Sequence, residues 1–274
     1  MRHEGCGLHK LFLLAFVAIC LEVPGISMAM EPASAFEDAF TAPSFVAGVD
    51  AVYNYPGMES FVPSLYAAGG YTVPFGMDDL AVTTAFAGVQ RGKVAGFASF
   101  SGSGFDLYGE EHAKLGLSYS PLKTLSAGLR LTRSAMNIKG FGDASSLSAD
   151  AGVVVRPHRR VFIAAALEDI AGAELGESRE PLDGRTRLAV SWLSPADVTL
   201  FLTASKVRRF DMSLTVGFIA EMTEVLSFGF AGASEPDRIE YFCGIRVKNA
   251  RFAYRGWYHG ELGETHGFSL GYLP

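Results

Sequence analysis

The stretch LSAGLRLT, residues 125–132, alternates apolar side chains with small or polar ones at every second position. The apolar set is Leu125, Ala127, Leu129 and Leu131. The intervening set is Ser126, Gly128, Arg130 and Thr132. Because successive side chains of a β-strand point to opposite faces of the sheet, this segment predicts a strand with one oily face and one small or polar face.

The same two-residue period recurs from about residue 65 to the end of the chain, and turn residues such as Gly, Pro, Asp and Asn separate the segments. The predicted strands are 65–75, 81–90, 93–106, 111–120, 125–138, 145–156, 161–169, 186–193, 197–207, 211–221, 225–233, 238–247, 249–259 and 266–273. Each is about long enough to cross a bilayer at a tilt of ~45°. The pattern predicts about 14 strands, with 12 to 14 as the range.

The small or polar face distinguishes this pattern from that of a soluble sandwich, whose outer face usually carries charged or long polar side chains. Here that face is rich in Gly, Ala, Ser and Thr, as expected for a lumen of limited width. Lipid offers no hydrogen-bond partner to an unpaired strand, so a sheet in a membrane must close on itself. The sequence therefore predicts an all-β fold, a transmembrane antiparallel up-and-down β-barrel.

The connections between these strands are predicted to differ in length. Those at 121–124, 157–160, 194–196 and 222–224 are tight, whereas those at 139–144 and 171–185 are longer. Outer-membrane barrels place short turns in the periplasm and longer loops outside the cell. The alternation of short and long connections therefore favours this class of barrel.

The N-terminus has the features of an export signal. Arg2 and Lys10 are followed by the apolar run LFLLAFVAI at 11–19, which is far shorter than the ~20 residues of a membrane-spanning helix. Ser27 and Ala29 supply the small residues of a cleavage site. We therefore predict a signal peptide at 1–29 and a transmembrane barrel at 65–274, located in the bacterial outer membrane.

Composition and motifs exclude several other classes. The net charge is -6 with no basic cluster, which disfavours nucleic-acid binding. Cys243 is the one cysteine after the predicted cleavage site, so no internal disulfide is expected. The sequence has no recognisable catalytic, phosphate-binding or metal-binding motif, and His259 and His266 are the one histidine pair that could meet. We predict a non-enzymatic protein without cofactor or metal.

The segment before the first predicted strand resembles a known family. AFTA at 39–42 and VDAVYNYPGM at 49–58 look like the opening of PorV/PorQ-type outer-membrane β-barrels, which are related to the FadL-like transporters. YRGWYHGELGETHGFSLG at 254–271 resembles the closing hairpin of that family. The resemblance implies an N-terminal hatch or plug segment at 30–64, with Asn54, Pro56 and Gly57 as its hatch motif. A flexible periplasmic tail is the alternative for 30–64.

Charged residues at lumen-facing positions are the remaining candidates for a functional site. They are Lys114, Arg130, Arg187, Glu240, Arg246 and Arg255. Such side chains either set selectivity in an open pore or pair with acidic groups of a plug. We favour pairing with a plug, because a barrel of this size is usually filled.

Two functions follow from the resemblance. The first is a PorV/PorQ-like carrier or scaffold in protein secretion or surface display, with secreted proteins or secretion-system components as partners. The second is a FadL-like channel for hydrophobic small molecules. In both cases outer-membrane lipid surrounds the barrel. The two differ in what binds: an exposed loop surface would bind protein, whereas an apolar pocket in the lumen would bind a small hydrophobic ligand.

Overall fold

The computed structural model describes residues 49–176 and 180–274. The predicted signal peptide at 1–29 and the first part of the predicted plug, 30–48, lie outside the described residues. The predicted division of the chain into these segments stays a prediction.

Fourteen strands form one closed antiparallel barrel, which confirms the predicted fold class. They are β1 (Leu65–Val73), β2 (Val82–Arg91), β3 (Val94–Phe105), β4 (Tyr108–Leu122), β5 (Leu125–Ile138), β6 (Gly142–His158), β7 (Val161–Glu168), β10 (Arg185–Leu193), β11 (Val198–Val207), β12 (Ser213–Glu221), β13 (Leu226–Ser234), β14 (Asp237–Val247), β15 (Ala250–His259) and β16 (Gly263–Tyr272). A two-stranded hairpin, β8 (Glu174–Leu175) and β9 (Glu180–Pro181), lies in the connection between β7 and β10.

Each barrel strand pairs with its neighbours along the chain, and β1 pairs with β16 to close the sheet. The closing register runs from Ala67 opposite Tyr272 to Val73 opposite His266. Closure gives the first and last strands the hydrogen-bond partners that an open sheet would lack.

The two faces of the barrel follow the alternation in the sequence. On β5, Leu129 is 64% exposed on the outside while its neighbour Arg130 is 3% exposed on the inside. Large apolar side chains cover the outer face, among them Leu115, Leu117, Val216 and Phe268. An exterior of this kind suits lipid, because each strand is hydrogen-bonded to a neighbour on both sides and the large projecting side chains are apolar.

The connections divide between two rims. At the terminal rim, where β1 begins and β16 ends, no connection exceeds four residues. The opposite loop rim carries the longest connection, 169–184, as predicted. The predicted longer loop at 139–144 is wrong, because Ile138 pairs with Gly142 and leaves three residues, 139–141, between the strands.

The chain before β1 lies inside the barrel. A short helix, α1 (Val49–Asn54), leads through Gly57, whose φ is +102°, into a turn of 3-10 helix at Met58–Phe61. We call residues 49–64 the plug segment. Its side chains join one buried cluster with the wall, which includes Val52, Tyr53 and Met58. Among the described residues, no helix is long and apolar enough to cross a membrane.

Candidate functional site: the plugged lumen

Arg130 holds the plug segment to the wall at β5. Its guanidinium donates hydrogen bonds to the backbone carbonyls of Val52 and Tyr53 near the end of α1 and to the carboxylate of Glu59. The Nη2 to Oε1 distance to Glu59 is 2.5 Å, and both side chains are almost fully buried. One wall residue therefore satisfies two helix-end carbonyls and one buried carboxylate, which need partners away from water.

A second anchor lies at the beginning of α1. Asp50 accepts hydrogen bonds from Arg251 and Arg255, two arginines that point inward from β15. The Arg251 contact measures 3.5 Å, and all three side chains are buried. Separating Asp50 from the two arginines would take a partner from buried charged groups, which is costly. This contact therefore holds α1 next to β15.

The hatch motif turns against two glycines of the wall. A Cβ added to Gly128 would lie 2.4 Å from the backbone nitrogen of Gly57, and one added to Gly152 would lie 2.4 Å from the carbonyl oxygen of Pro56. Only glycine at these wall positions allows so close an approach of the plug backbone. Asn54, which precedes this turn, is buried in the lumen.

Aromatic side chains pack beside these anchors. The rings of Tyr53 and Phe86 are 5.9 Å apart, as are those of Phe86 and Phe97. Lys114 places its ammonium 4.8 Å from the Tyr53 ring centroid, which is a favourable cation–π distance. The neighbouring Tyr55 is buried, and burial raises the pKa of its hydroxyl to about 12. Tyr55 is therefore neutral at physiological pH.

Hydroxyl groups join the end of the plug segment to the wall. Ser126 of β5 donates a 2.9 Å hydrogen bond to the hydroxyl of Ser60, and Ser118 of β4 lies 3.3 Å from the same oxygen. Gln90 of β2 donates to the Ser60 carbonyl. Ser60 is thus in contact with three strands of one side of the barrel.

The predicted lumen charges occupy several environments. Arg130 and Arg255 contact the plug segment through the ion pairs described above, and Lys114 contacts it through Tyr53. Arg187 pairs with Glu168 of the wall at 3.3 Å. Glu240, fully buried, accepts a 2.7 Å hydrogen bond from Arg238. Arg246 lies at the terminal rim, where it is exposed and 3.7 Å from Glu221.

The histidine pair does not meet. His259 lies on the lumen face of β15, opposite Gly263. His266 lies on the outer face of β16, where its Nδ1 shares a hydrogen bond with the Tyr254 hydroxyl. The described residues hold no group of three or more His, Cys, Asp or Glu that could bind a metal.

Sequence reasoning missed Asp50, Glu59 and Arg251. Arg251 stands four positions before Arg255 on the same strand, so the alternation that pointed to Arg255 also placed Arg251 in the lumen. Asp50 and Glu59 lie within the predicted plug, and nothing in their local pattern marked them as partners of particular arginines.

No protein-family model and no curated protein sequence matches the chain. Among solved structures, the fold is similar to that of the toluene transporter TbuX of Ralstonia pickettii (TM-score 0.63, 10% identity, 83% of this chain and 94% of that one). It is also similar to the toluene transporter TodX of Pseudomonas putida (TM-score 0.63, 9% identity, 91% and 98%). A FadL homologue of Pseudomonas aeruginosa gives a TM-score of 0.59 at 11% identity, over 82% and 94%.

At these identities the likeness concerns the fold alone, a closed antiparallel barrel that this chain shares with those proteins. The closed sheet and its apolar exterior are those of a protein that lies in lipid. The chain is accordingly a β-barrel of the bacterial outer membrane.

Proposed function

We propose that this protein is an outer-membrane channel for small hydrophobic molecules, and that the plug segment keeps its lumen closed until the segment moves. The observation that carries the proposal is a barrel with the fold of TbuX and TodX whose interior holds residues 49–64. Of the two functions expected from the sequence, this is the one that the likeness of fold supports.

The contacts of the plug segment are consistent with a segment that can be displaced from the lumen. Beside the apolar packing of the plug segment, polar contacts hold it at discrete points, at Arg130, at Arg251 with Arg255, and at the Ser60 hydroxyl. The wall is held together independently by its own backbone hydrogen bonds. Movement of residues 49–64 would therefore leave the barrel intact while opening a path through it.

A disulfide between plug and wall tests this proposal. Ser60→Cys and Ser126→Cys, introduced with Cys243→Ala, replace two hydroxyl oxygens 2.9 Å apart by two thiols. The protein is expressed in a Gram-negative host that lacks its own FadL-type channel, and entry of the hydrophobic dye phenylnaphthylamine is followed by fluorescence. We expect faster entry than in vector-only cells, loss of that gain in the oxidised double variant, and its return on reduction.

The single variant Ser60→Cys in the same background is the matched control and should conduct under oxidising and reducing conditions alike. Dye entry equal to that of vector-only cells would overturn the proposed channel function. Entry that is unaffected by a disulfide verified by mass spectrometry would overturn the role of the plug segment.

A carrier or scaffold function similar to that of PorV is the second candidate, and the resemblance at Asn54, Pro56 and Gly57 favours it. Its partner would be a secreted protein that binds the loop rim, where connection 169–184 is the longest. Affinity purification of the tagged barrel from detergent-solubilised membranes of the native cell is the measurement. Stoichiometric recovery of one exported protein, together with unchanged dye entry, would favour the carrier over the channel.

A further inference from the structure

Five lumen-facing side chains on adjacent strands form a continuous polar row. Register partners link Thr84 to Ser101, Ser101 to His112, His112 to Ser134, and Ser134 to Ser146. We call this row, which crosses β2 to β6, the hydroxyl belt. Neighbouring strands lie about 4.8 Å apart, so the belt places one hydrogen-bonding side chain about every 4.8 Å around one side of the lumen.

Two groups of the belt have spare hydrogen-bonding capacity. Nδ1 of His112 shares a 2.9 Å hydrogen bond with the Ser134 hydroxyl. Nε2 of the same ring is buried without a hydrogen-bond partner among the described residues. The nearest ion-pair contact of Nε2 is Glu110, at 3.9 Å, which is too long for a hydrogen bond. The Ser146 hydroxyl is likewise buried and without a partner. Buried polar groups of this kind are usually satisfied by water or by a bound polar molecule.

The two rows next to the belt differ in character. Toward the terminal rim, Phe86 follows Thr84 on the same face of β2 and packs against Tyr53 and Phe97 with tilted rings. Residues two apart on a strand are about 7 Å apart, so the Phe86 ring and the Thr84 end of the belt lie within the length of one small molecule. A ligand that contacts both would have an apolar body and a hydrogen-bonding group.

Toward the loop rim, the next row borders an open cavity of about 860 Å³. Ser103, Glu110 and Met136, register partners of one another on β3, β4 and β5, all line it. Of the charged residues that line it, Glu110 faces the lumen, two positions before His112 on β4, whereas Glu111, Arg133 and Asp143 lie on the outward-facing positions of their strands. A lumen-facing carboxylate next to the belt disfavours an anionic ligand.

We infer that the hydroxyl belt selects neutral small molecules that carry a hydroxyl or carbonyl group beside an apolar part, over plain hydrocarbons and over carboxylates. The inference rests on the proposed channel function and names the class of molecule that the channel takes. The belt supplies the hydrogen bonds, and the Phe86 ring next to Thr84 receives the apolar part.

Binding of three matched probes tests the belt. The full chain in lipid nanodiscs is equilibrated with para-propylphenol, propylbenzene or para-propylbenzoate, and bound probe is measured by equilibrium dialysis against empty nanodiscs. We expect the phenol to bind about tenfold more tightly than propylbenzene, since one or two net hydrogen bonds supply that factor, and the benzoate to bind most weakly.

The triple variant Ser101→Ala, Ser134→Ala and Ser146→Ala should reduce the preference for the phenol to about twofold or less, because alanine keeps the size of the side chain and removes the hydroxyl. Ser205→Ala with Ser213→Ala, a facing pair on β11 and β12 of the other wall, is the matched control and should keep the wild-type preference. Heat-modifiable migration on a gel verifies that each variant folds. If the triple variant does not fold, Ser134→Ala alone takes its place and should lower the preference about threefold.

The outcomes separate this inference from the channel proposal. Three results would overturn the selectivity assigned to the belt without contradicting the channel proposal. They are equal binding of the phenol and propylbenzene by the wild type, tighter binding of the benzoate, and an unchanged preference in the triple variant. Binding of none of the three probes, together with no gain in dye entry, would overturn both.

Discussion

Arg130 of the wall and Glu59 of the plug segment form an ion pair with 2.5 Å between Nη2 and Oε1, buried inside the barrel. In Glu59→Ala the guanidinium keeps the carbonyls of Val52 and Tyr53 as its hydrogen-bond acceptors among the described residues, and loss of one partner of a buried pair costs roughly 3–5 kcal/mol. We expect a lower midpoint of urea unfolding in lipid vesicles. Arg130→Met with Glu59→Met should recover most of the loss, because apolar replacement of the whole pair is often neutral. A midpoint unchanged in Glu59→Ala would contradict this role.

Asp50→Asn tests whether the plug segment can be released while the barrel stays closed. The substitution leaves Arg251 and Arg255 facing each other without their shared carboxylate. Loss of one partner of a buried ion pair costs about 3–5 kcal/mol, and each 1.4 kcal/mol shifts an equilibrium about tenfold. We expect dye entry to rise at least about tenfold while the heat-modifiable gel shift of the barrel is retained.

Asp78→Asn is the control for that experiment, since Asp78 is exposed at the loop rim, away from the plug segment. It should change neither readout. Loss of the gel shift in Asp50→Asn would mean instead that α1 is needed for the barrel to form, and unchanged dye entry would show that Asp50 does not hold the plug segment in place.

Gly152→Ala should displace the hatch turn by contact alone, with no change of charge. The added methyl group would stand 2.4 Å from the Pro56 carbonyl oxygen, a backbone atom that cannot rotate away. Overpacking of this kind typically costs about 1–3 kcal/mol. Gly232→Ala meets no atom within 4 Å and is the matched control. We expect increased dye entry for Gly152→Ala only, and equal entry in the two variants would contradict the contact.

The fourteen strands were predictable because lipid imposes one simple rule on the outer face. Leu115, Leu117 and Leu129 could be placed there from their own positions in the alternation, without knowledge of any partner. The same local rule gave the lumen positions of Arg130 and Arg255.

The partners across the lumen could not be predicted in this way. Asp50 and Arg255 are 205 positions apart, and they meet only because the barrel closes and the plug segment enters it. Arg246 shows the other limit of the rule. The alternation places Arg246 on the lumen face of β14, but the side chain is exposed because it lies close to the terminal rim. Alternation tells which face a residue is on, not how deep it lies along the barrel axis.

Cys243 offers a test of the lipid-facing surface. It is an exposed free thiol on the outer face of β14, opposite Phe228 and Tyr254. We expect a lipophilic maleimide to modify it in intact cells and a charged, membrane-impermeant maleimide to do so only after denaturation. Phe141→Cys in a Cys243→Ala background is the control, because Phe141 is 90% exposed at the loop rim and should react with the charged reagent. Equal labelling of both thiols by the charged reagent would contradict the bilayer position.

Asp169 links stability to pH at the loop rim. It has a φ of +52°, accepts a 2.8 Å hydrogen bond from the Ala173 amide, and its second carboxylate oxygen is buried without a hydrogen-bond partner among the described residues. Burial raises the pKa of this carboxyl group, and the nearby Asp150 raises it further. A raised folded-state pKa means that the carboxyl group favours the fold while it is protonated, and that this contribution is lost as the pH rises through the folded-state pKa.

Asp169→Asn should therefore stabilise the barrel at about pH 8, by roughly 0.5–1 kcal/mol, because the amide is neutral, can still accept the Ala173 hydrogen bond and tolerates a positive φ. As the pH falls toward 4 the wild-type group takes up its proton, so the gain should shrink. Asp169→Ala removes the acceptor and should destabilise the fold at both pH values. Urea unfolding at the two pH values is the measurement, and a gain for Asp169→Asn that grows toward acid would show that the sign of the linkage is wrong.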